Sequence, residues 1–231
     1  MKVFAISDLH LSGDNPKPMD IFGGAWDNYV EKITASWDEC VEDDDIVLIA
    51  GDISWAMGFE AAKQDLAFIG SLKGKKVIIR GNHDYWWKSI SAVRAELQEN
   101  FYAVQNDALK IGNVVLCGSR GWSTPEREHA TADDKKIYDR EIIRMDLSLK
   151  AAEKLRKEGD KIVAMIHYPP FNSRLERSAF TELFTKAGVD AVVYGHLHGK
   201  DCRSQKLAQI DGIKYYLTSC DLVDNKLVQI L

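Results

Sequence analysis

With 231 residues, 45% of them hydrophobic and 28% charged, the chain has the balance of a globular domain with a sizeable core, which excludes a disordered or fibrous protein. Its net charge of −5 offers no basic footprint for a stable nucleic-acid complex or an anionic membrane surface. No apolar run approaches the ~20 residues of a membrane span. The N-terminal residues read as a strand almost at once, without a basic then apolar leader, so no secretory signal is expected. Cys40, Cys117, Cys202 and Cys220 show no C-x-x-C spacing and are expected as reduced thiols, which fits a cytoplasmic setting.

In chain order, a strand is predicted over 2–7, then a loop over 11–25 with Pro16, Pro18, Gly23 and Gly24. Val30, Ile33, Trp37 and Val41 recur near a 3.6-residue period and predict a helix over 26–41. Strand 46–50, helix 59–72, strand 77–80 and helix 86–98 follow. This alternation implies parallel strands with helical crossovers. Short strands come next at 101–104, 108–111 and 114–118, then a long charged helix at 133–158. Strand 162–166, helix 178–187, strand 191–194 and runs near 206–210, 213–218 and 226–230 close the chain. The pattern reads as one α/β domain over 1–231, with two sheets packed face to face and helices outside.

The chemistry is concentrated just after the apolar runs. Asp8-x-His10, Gly51-Asp52, Gly81-Asn82-His83-Asp84, His167 and Gly195-His196-x-His198 each directly follow one. In an open α/β sheet the carboxyl ends of strands share an edge where ligands bind, so residues from 8 to 198 can meet. Asp8 and His10, like His196 and His198, are one residue apart, and extended backbone repeats every two residues, so each pair can face one ion. The inventory of metal ligands is Asp8, His10, Asp52, Asn82, His167, His196 and His198, more than one ion needs. Two ions sharing Asp52 would have four protein ligands each. Carboxylate, imidazole and amide donors exclude soft thiolate chemistry without choosing among Mn, Fe, Zn, Co and Ni. Such a centre keeps local positive charge for a phosphate and lowers the pKa of bound water.

This ordered set resembles the calcineurin-like metallophosphoesterases. The resemblance implies a four-layer α/β/β/α sandwich of two mixed sheets flanked by helices. It further implies Asp8, His10, Asp52 and His198 on one ion, Asp52, Asn82, His167 and His196 on the other, and a phosphomonoester or phosphodiester cleaved by a hydroxide bridging them. By the same resemblance His83 faces the substrate instead of binding metal, and Asp84 orients its ring. The family's protein phosphatases carry Asp-Arg-Gly soon after Gly-Asp, whereas this chain reads Gly51-Asp52-Ile53-Ser54-Trp55, which argues against a protein phosphatase. A non-catalytic scaffold on the same fold and a nuclease remain as other readings.

The substrate side is read from fewer residues. Arg120 and Trp122, past strand 114–118, are candidates for a phosphate-ester or nucleotide-like substrate, and Arg174 is a lesser one. Tyr85, Trp86 and Trp87 can stack on a base or pack a helix on the sheet, as can Trp55. His129 is expected in solvent.

Overall fold

A computed structural model of the chain describes residues 1–13, 17–124 and 131–231. Its elements run β1 (Val3–Ile6), α1 (Tyr29–Cys40), β2 (Ile46–Ile49), α2 (Phe59–Ser71), β3 (Lys75–Ile78), α3 (Ile90–Glu96), β4 (Phe101–Ala103), β5 (Ala108–Ile111) and β6 (Val114–Ser119). The second half continues with α4 (Ala132–Leu155), β7 (Lys161–Ile166), α5 (Ala179–Ala187), β8 (Ala191–Tyr194), β9 (Leu207–Ile210), β10 (Ile213–Leu217) and β11 (Val228–Gln229). One sheet has the order β11-β1-β2-β3-β4 and the other β5-β6-β7-β8-β10-β9. The inner strands are parallel, while β11, β5 and β9 add antiparallel at the edges.

Alternate side chains of a strand face opposite ways, and here both faces are covered. Val3, Ala5, Ile46, Leu48 and Val77 meet Val114, Leu116, Val163, Met165 and Val193 between the sheets. Phe4, Ile6, Val47 and Ile49 point the other way, against Ile33 and Trp37 of α1 and Leu66 and Ile69 of α2. Beyond the second sheet, Val115, Ile162 and Ala164 pack under Met145 and Leu149 of α4 and Phe180 and Phe184 of α5. The layers therefore run helix, sheet, sheet, helix. Burial on both faces is why these strands read as unbroken apolar runs.

Several boundaries differ from the sequence-based ones for local reasons. The first helix begins at Tyr29, because residues 24–26 form a separate 3-10 turn and Asn28 sits at φ 49°. The third helix spans 90–96 instead of 86–98. Trp86 and Trp87 are buried in the preceding turn, and Ser89 caps the helix by accepting from the Ala92 N–H at 3.3 Å. β3 starts two residues early and takes in Lys76. The Lys76 ammonium is satisfied internally by the Gly70, Leu72 and Gly74 carbonyls. The long helix starts at Ala132 behind a Thr131–Asp134 capping box, and the last run contributes only two paired residues.

Candidate metal centre

The ends of β1, β2, β3, β7 and β8 bring the seven expected ligands together. Their loops hold an uncommon backbone. Asp8 (φ 59°), His10 (φ 45°), Asp52 (φ 52°) and His196 (φ 73°) all lie in the left-handed region, which non-glycine residues seldom adopt and which gathers at functional sites. Hydrogen bonds tie the loops to one another: the Asp8 N–H donates to Gly51 O and the His10 N–H to Asp52 O, both at 3.0 Å. Close approach explains two of the glycines. A Cβ on Gly81 would stand 2.1 Å from Asp52 Oδ1, and one on Gly195 would stand 2.3 Å from Asp8 Oδ2.

The donor atoms form two overlapping groups, Asp8 with His10 and His198, and Asp8 with Asp52 and His167, with donors in each group within 4.8 Å of one another. His198 Nε2 lies 3.2 Å from Asp8 Oδ1, and His10 Nε2 lies 3.9 Å from Asp52 Oδ2. His167 Nε2 is 3.4 Å from Asp52 Oδ2 and 2.7 Å from Asn82 Oδ1, and His196 Nδ1 is 2.8 Å from the same amide oxygen. Asn82 thus joins the two rings, and His167 carries the contact on to Asp52. The other nitrogens of two rings are tied away from the centre. His167 Nδ1 bonds Ala50 O at 2.9 Å, and His198 Nδ1 bonds Asp221 Oδ1 at 2.9 Å. Such outward bonds fix which nitrogen faces a metal.

Charge is concentrated and coupled here. Burial works against a charged His167, yet Asp52 and Asp8 outweigh it and raise its pKa to about 9. His198 is likewise opposed by burial but raised to about 10 by Asp221 and Asp8. His10 and His196 are pushed down to about 4, chiefly by burial, and are neutral rings ready to donate. Burial pulls Asp8 and Asp52 upward, but their histidine neighbours win, lowering Asp52 and holding Asp8 well below the carboxylate range. Two buried carboxylates among oxygen and nitrogen donors, with His10 Nδ1 lacking any hydrogen-bond partner, suit hard or borderline divalent cations.

The family model described as calcineurin-like phosphoesterase matches residues 1–200, a span that contains all seven candidate ligands. The chain belongs to the calcineurin-like phosphoesterases. Two solved structures share its fold. The Aquifex aeolicus protein AQ665, described as of unknown function, aligns at a TM-score of 0.51 and 14% identity over 99% of this chain and 95% of its own. TT1561 of Thermus thermophilus aligns at 0.60 and 14% identity over 99% and 97%. No curated protein matches the chain.

Around the centre of this calcineurin-like phosphoesterase, His83 is held at its backbone, where its N–H donates to Asp52 Oδ1 at 2.7 Å. Its ring lies 5.7 Å from that of His10, and Nδ1 has no partner. Asp84 corrects an expectation. Its buried carboxylate does not reach the His83 ring; it accepts from the backbone N–H groups of Asp52, Ile53, Ser54 and Gly81 and from the Trp86 indole, at 2.7–3.2 Å. Burial and the nearby Asp52 charge raise its pKa to about 6 against those donors. Asp84 therefore locks the Asp52 loop to the Gly81 loop.

Sequence reasoning missed three residues. Asp221 braces His198 and, at 2.8 Å, the Gly199 N–H, and it lies outside any motif. Trp26, read only as a helix residue, faces His10 and His198 with ring centroids 5.9 and 5.7 Å away. Arg203 lines a cavity of about 430 Å³ that reaches His196. Trp55 stacks on His10 at 4.7 Å and 21° and lies 4.7 Å from the His83 ring, so it belongs to the site. Trp86 and Trp87 are core residues, while Tyr85 is exposed beside His83. Arg120 sits 5.1 Å over the Trp122 ring and 3.8 Å from Glu141, and Trp122 donates to Asp134 at 3.3 Å. Arg174 is exposed, and His129 lies outside the described residues.

Proposed function

We propose that the chain is a metal-dependent phosphohydrolase of one domain over 1–231, cleaving a phosphomonoester or phosphodiester. The observation that carries this reading is the convergence of five further donors, His10, Asn82, His167, His196 and His198, around the Asp8 and Asp52 carboxylates from the ends of both sheets. Asp8, His10, Asp52 and His198 would hold one divalent ion, and Asp52, Asn82, His167 and His196 a second. Ions bound there supply a water of lowered pKa and a positive clamp for phosphoryl oxygens.

The chain's own residues do the rest. Asp52 lies 3.9 Å from His10 and 3.4 Å from His167, which supports a bridging role, and it fixes His83 through its backbone N–H. The His83 imidazole, unpaired at Nδ1, is placed to steady phosphoryl charge or to protonate the leaving oxygen. Trp55 and Trp26 wall the centre on the His10 side and limit water there. The cavity lined by Phe171, Leu175, Leu197 and Arg203 takes the organic part of the ester. The complete donor set weighs against a non-catalytic scaffold, and the acidic balance weighs against a nuclease. No described helix is long and apolar enough to cross a membrane, and four free cysteines fit a reducing, cytoplasmic setting.

Hydrolysis of para-nitrophenyl phosphate and bis-para-nitrophenyl phosphate, with manganese or with chelator, tests the reading. His83→Ala should lower turnover by about 10²–10⁴-fold while metal content stays at the wild-type level. Turnover indifferent to chelator would overturn the proposal, and loss of metal in His83→Ala would reassign that residue as a ligand.

A further inference from the structure

Beside the candidate centre opens a cavity of about 250 Å³ whose lining includes Arg80, Ser119, Arg120, Arg140, Glu141 and Arg144. Four guanidiniums there face a single carboxylate. Glu141 is fully buried, and its Oε1 holds Arg144 at 2.6 Å, Arg140 at 3.7 Å and Arg120 at 3.8 Å. Arg80 has no ion pair among the described residues, and its buried Nε has no hydrogen-bond acceptor. Ser119, 1% exposed, has an Oγ without a partner. Buried donors without acceptors are costly, and excess positive charge beside them is the chemistry of an anion site. Planar guanidiniums match the oxygens of a phosphate. The unpartnered Glu141 Oε2 suits the hydroxyl of a monohydrogen phosphate.

The pocket adjoins the metal centre through the chain itself. Arg80 lies two residues before Asn82 at the end of β3. Arg120 follows β6, and its carbonyl accepts the His167 N–H at 3.0 Å. Tyr168 touches both sites, its N–H donating to the same Arg120 carbonyl at 3.2 Å and its ring lying 4.2 Å from the His196 ring.

We propose that this pocket is a second phosphate site, filled by a further phosphate group of a substrate whose scissile phosphate lies at the metal centre. The phosphate-binding half stands on the pocket alone; the substrate half rests on the phosphohydrolase reading. A free phosphate ion is the other source of the same chemistry, and two measurements separate them. Calorimetric titration of inorganic phosphate into the manganese-loaded full chain should find two sites, one of them lost in Arg144→Gln and in Arg140→Gln, the latter at a half-exposed position that tolerates change. Adenosine 3′,5′-bisphosphate should inhibit para-nitrophenyl phosphate hydrolysis more strongly than adenosine 5′-monophosphate, and that preference should fall about tenfold in the same variants. A second phosphate site without a bisphosphate preference would keep the anion pocket and overturn its assignment to the substrate. A phosphate stoichiometry unchanged in both arginine variants would overturn the site itself. If no ester is hydrolysed, the phosphohydrolase reading fails while the calorimetry still decides the pocket.

Discussion

At the scale of single residues, the ring nitrogens show how the centre is prepared. Asp221 holds His198 by Nδ1 and leaves Nε2 facing Asp8 at the candidate centre, free for the proposed ion. Asp221→Asn keeps the shape but loses the charge, and metal affinity should fall about 10–100-fold, measured by competition with a metal indicator. Unchanged affinity would reduce Asp221 to a loop tether. His167 and His198, with pKa values raised to about 9 and about 10, hold their protons more tightly when folded than when unfolded. Each stabilises the metal-free fold fully below pH 6.5 and loses that contribution as pH climbs through its folded value. His10 and His196, lowered to about 4, act in the other sense, adding stability as pH rises from 4 to 6.5. Melting of the metal-free protein should therefore move to lower temperature from pH 6.5 towards 9 and above. With metal bound, those protons are already displaced and the decline should flatten.

At the scale of elements, Asp84 decides how the β2 and β3 loops are built. Asp84→Ala would leave five N–H donors without their acceptor, and a destabilisation of about 3 kcal/mol or more is expected. Denaturant midpoints would show it. A variant of normal stability but low turnover would instead restore Asp84 as an orienter of His83. The same residue shows what the sequence can reveal. Ligand types after apolar runs gave the centre, because strand ends in a parallel sheet meet at one edge. The partner of Asp84 was not legible, because a carboxylate next to a histidine in sequence is aimed by the turn between them. Trp26 and Asp221 were silent for a related reason: their link to the site comes from distant loops, with no periodicity or spacing to announce it. The late start of the third helix followed from Trp86 turning inward to Asp84, a tertiary preference that overrides helical pattern.

At the scale of the whole molecule, the layered core is formed by residues of both sheets, and the candidate metal donors divide the same way. Asp8, His10, Asp52 and Asn82 come from one sheet, and His167, His196 and His198 from the other. Ions bound across that seam, as proposed, would span chain positions far apart in sequence, so their binding geometry would exist only after the sheets have docked. Metal should then act on the exit from the native state more than on the route to it. Adding manganese should slow unfolding in denaturant while the refolding rate barely changes, and equal effects on both limbs would mean that the ligand loops assemble before the sheets meet. A centre read first as a place for chemistry is, in this respect, also a clasp: what it fastens is the time the folded protein survives.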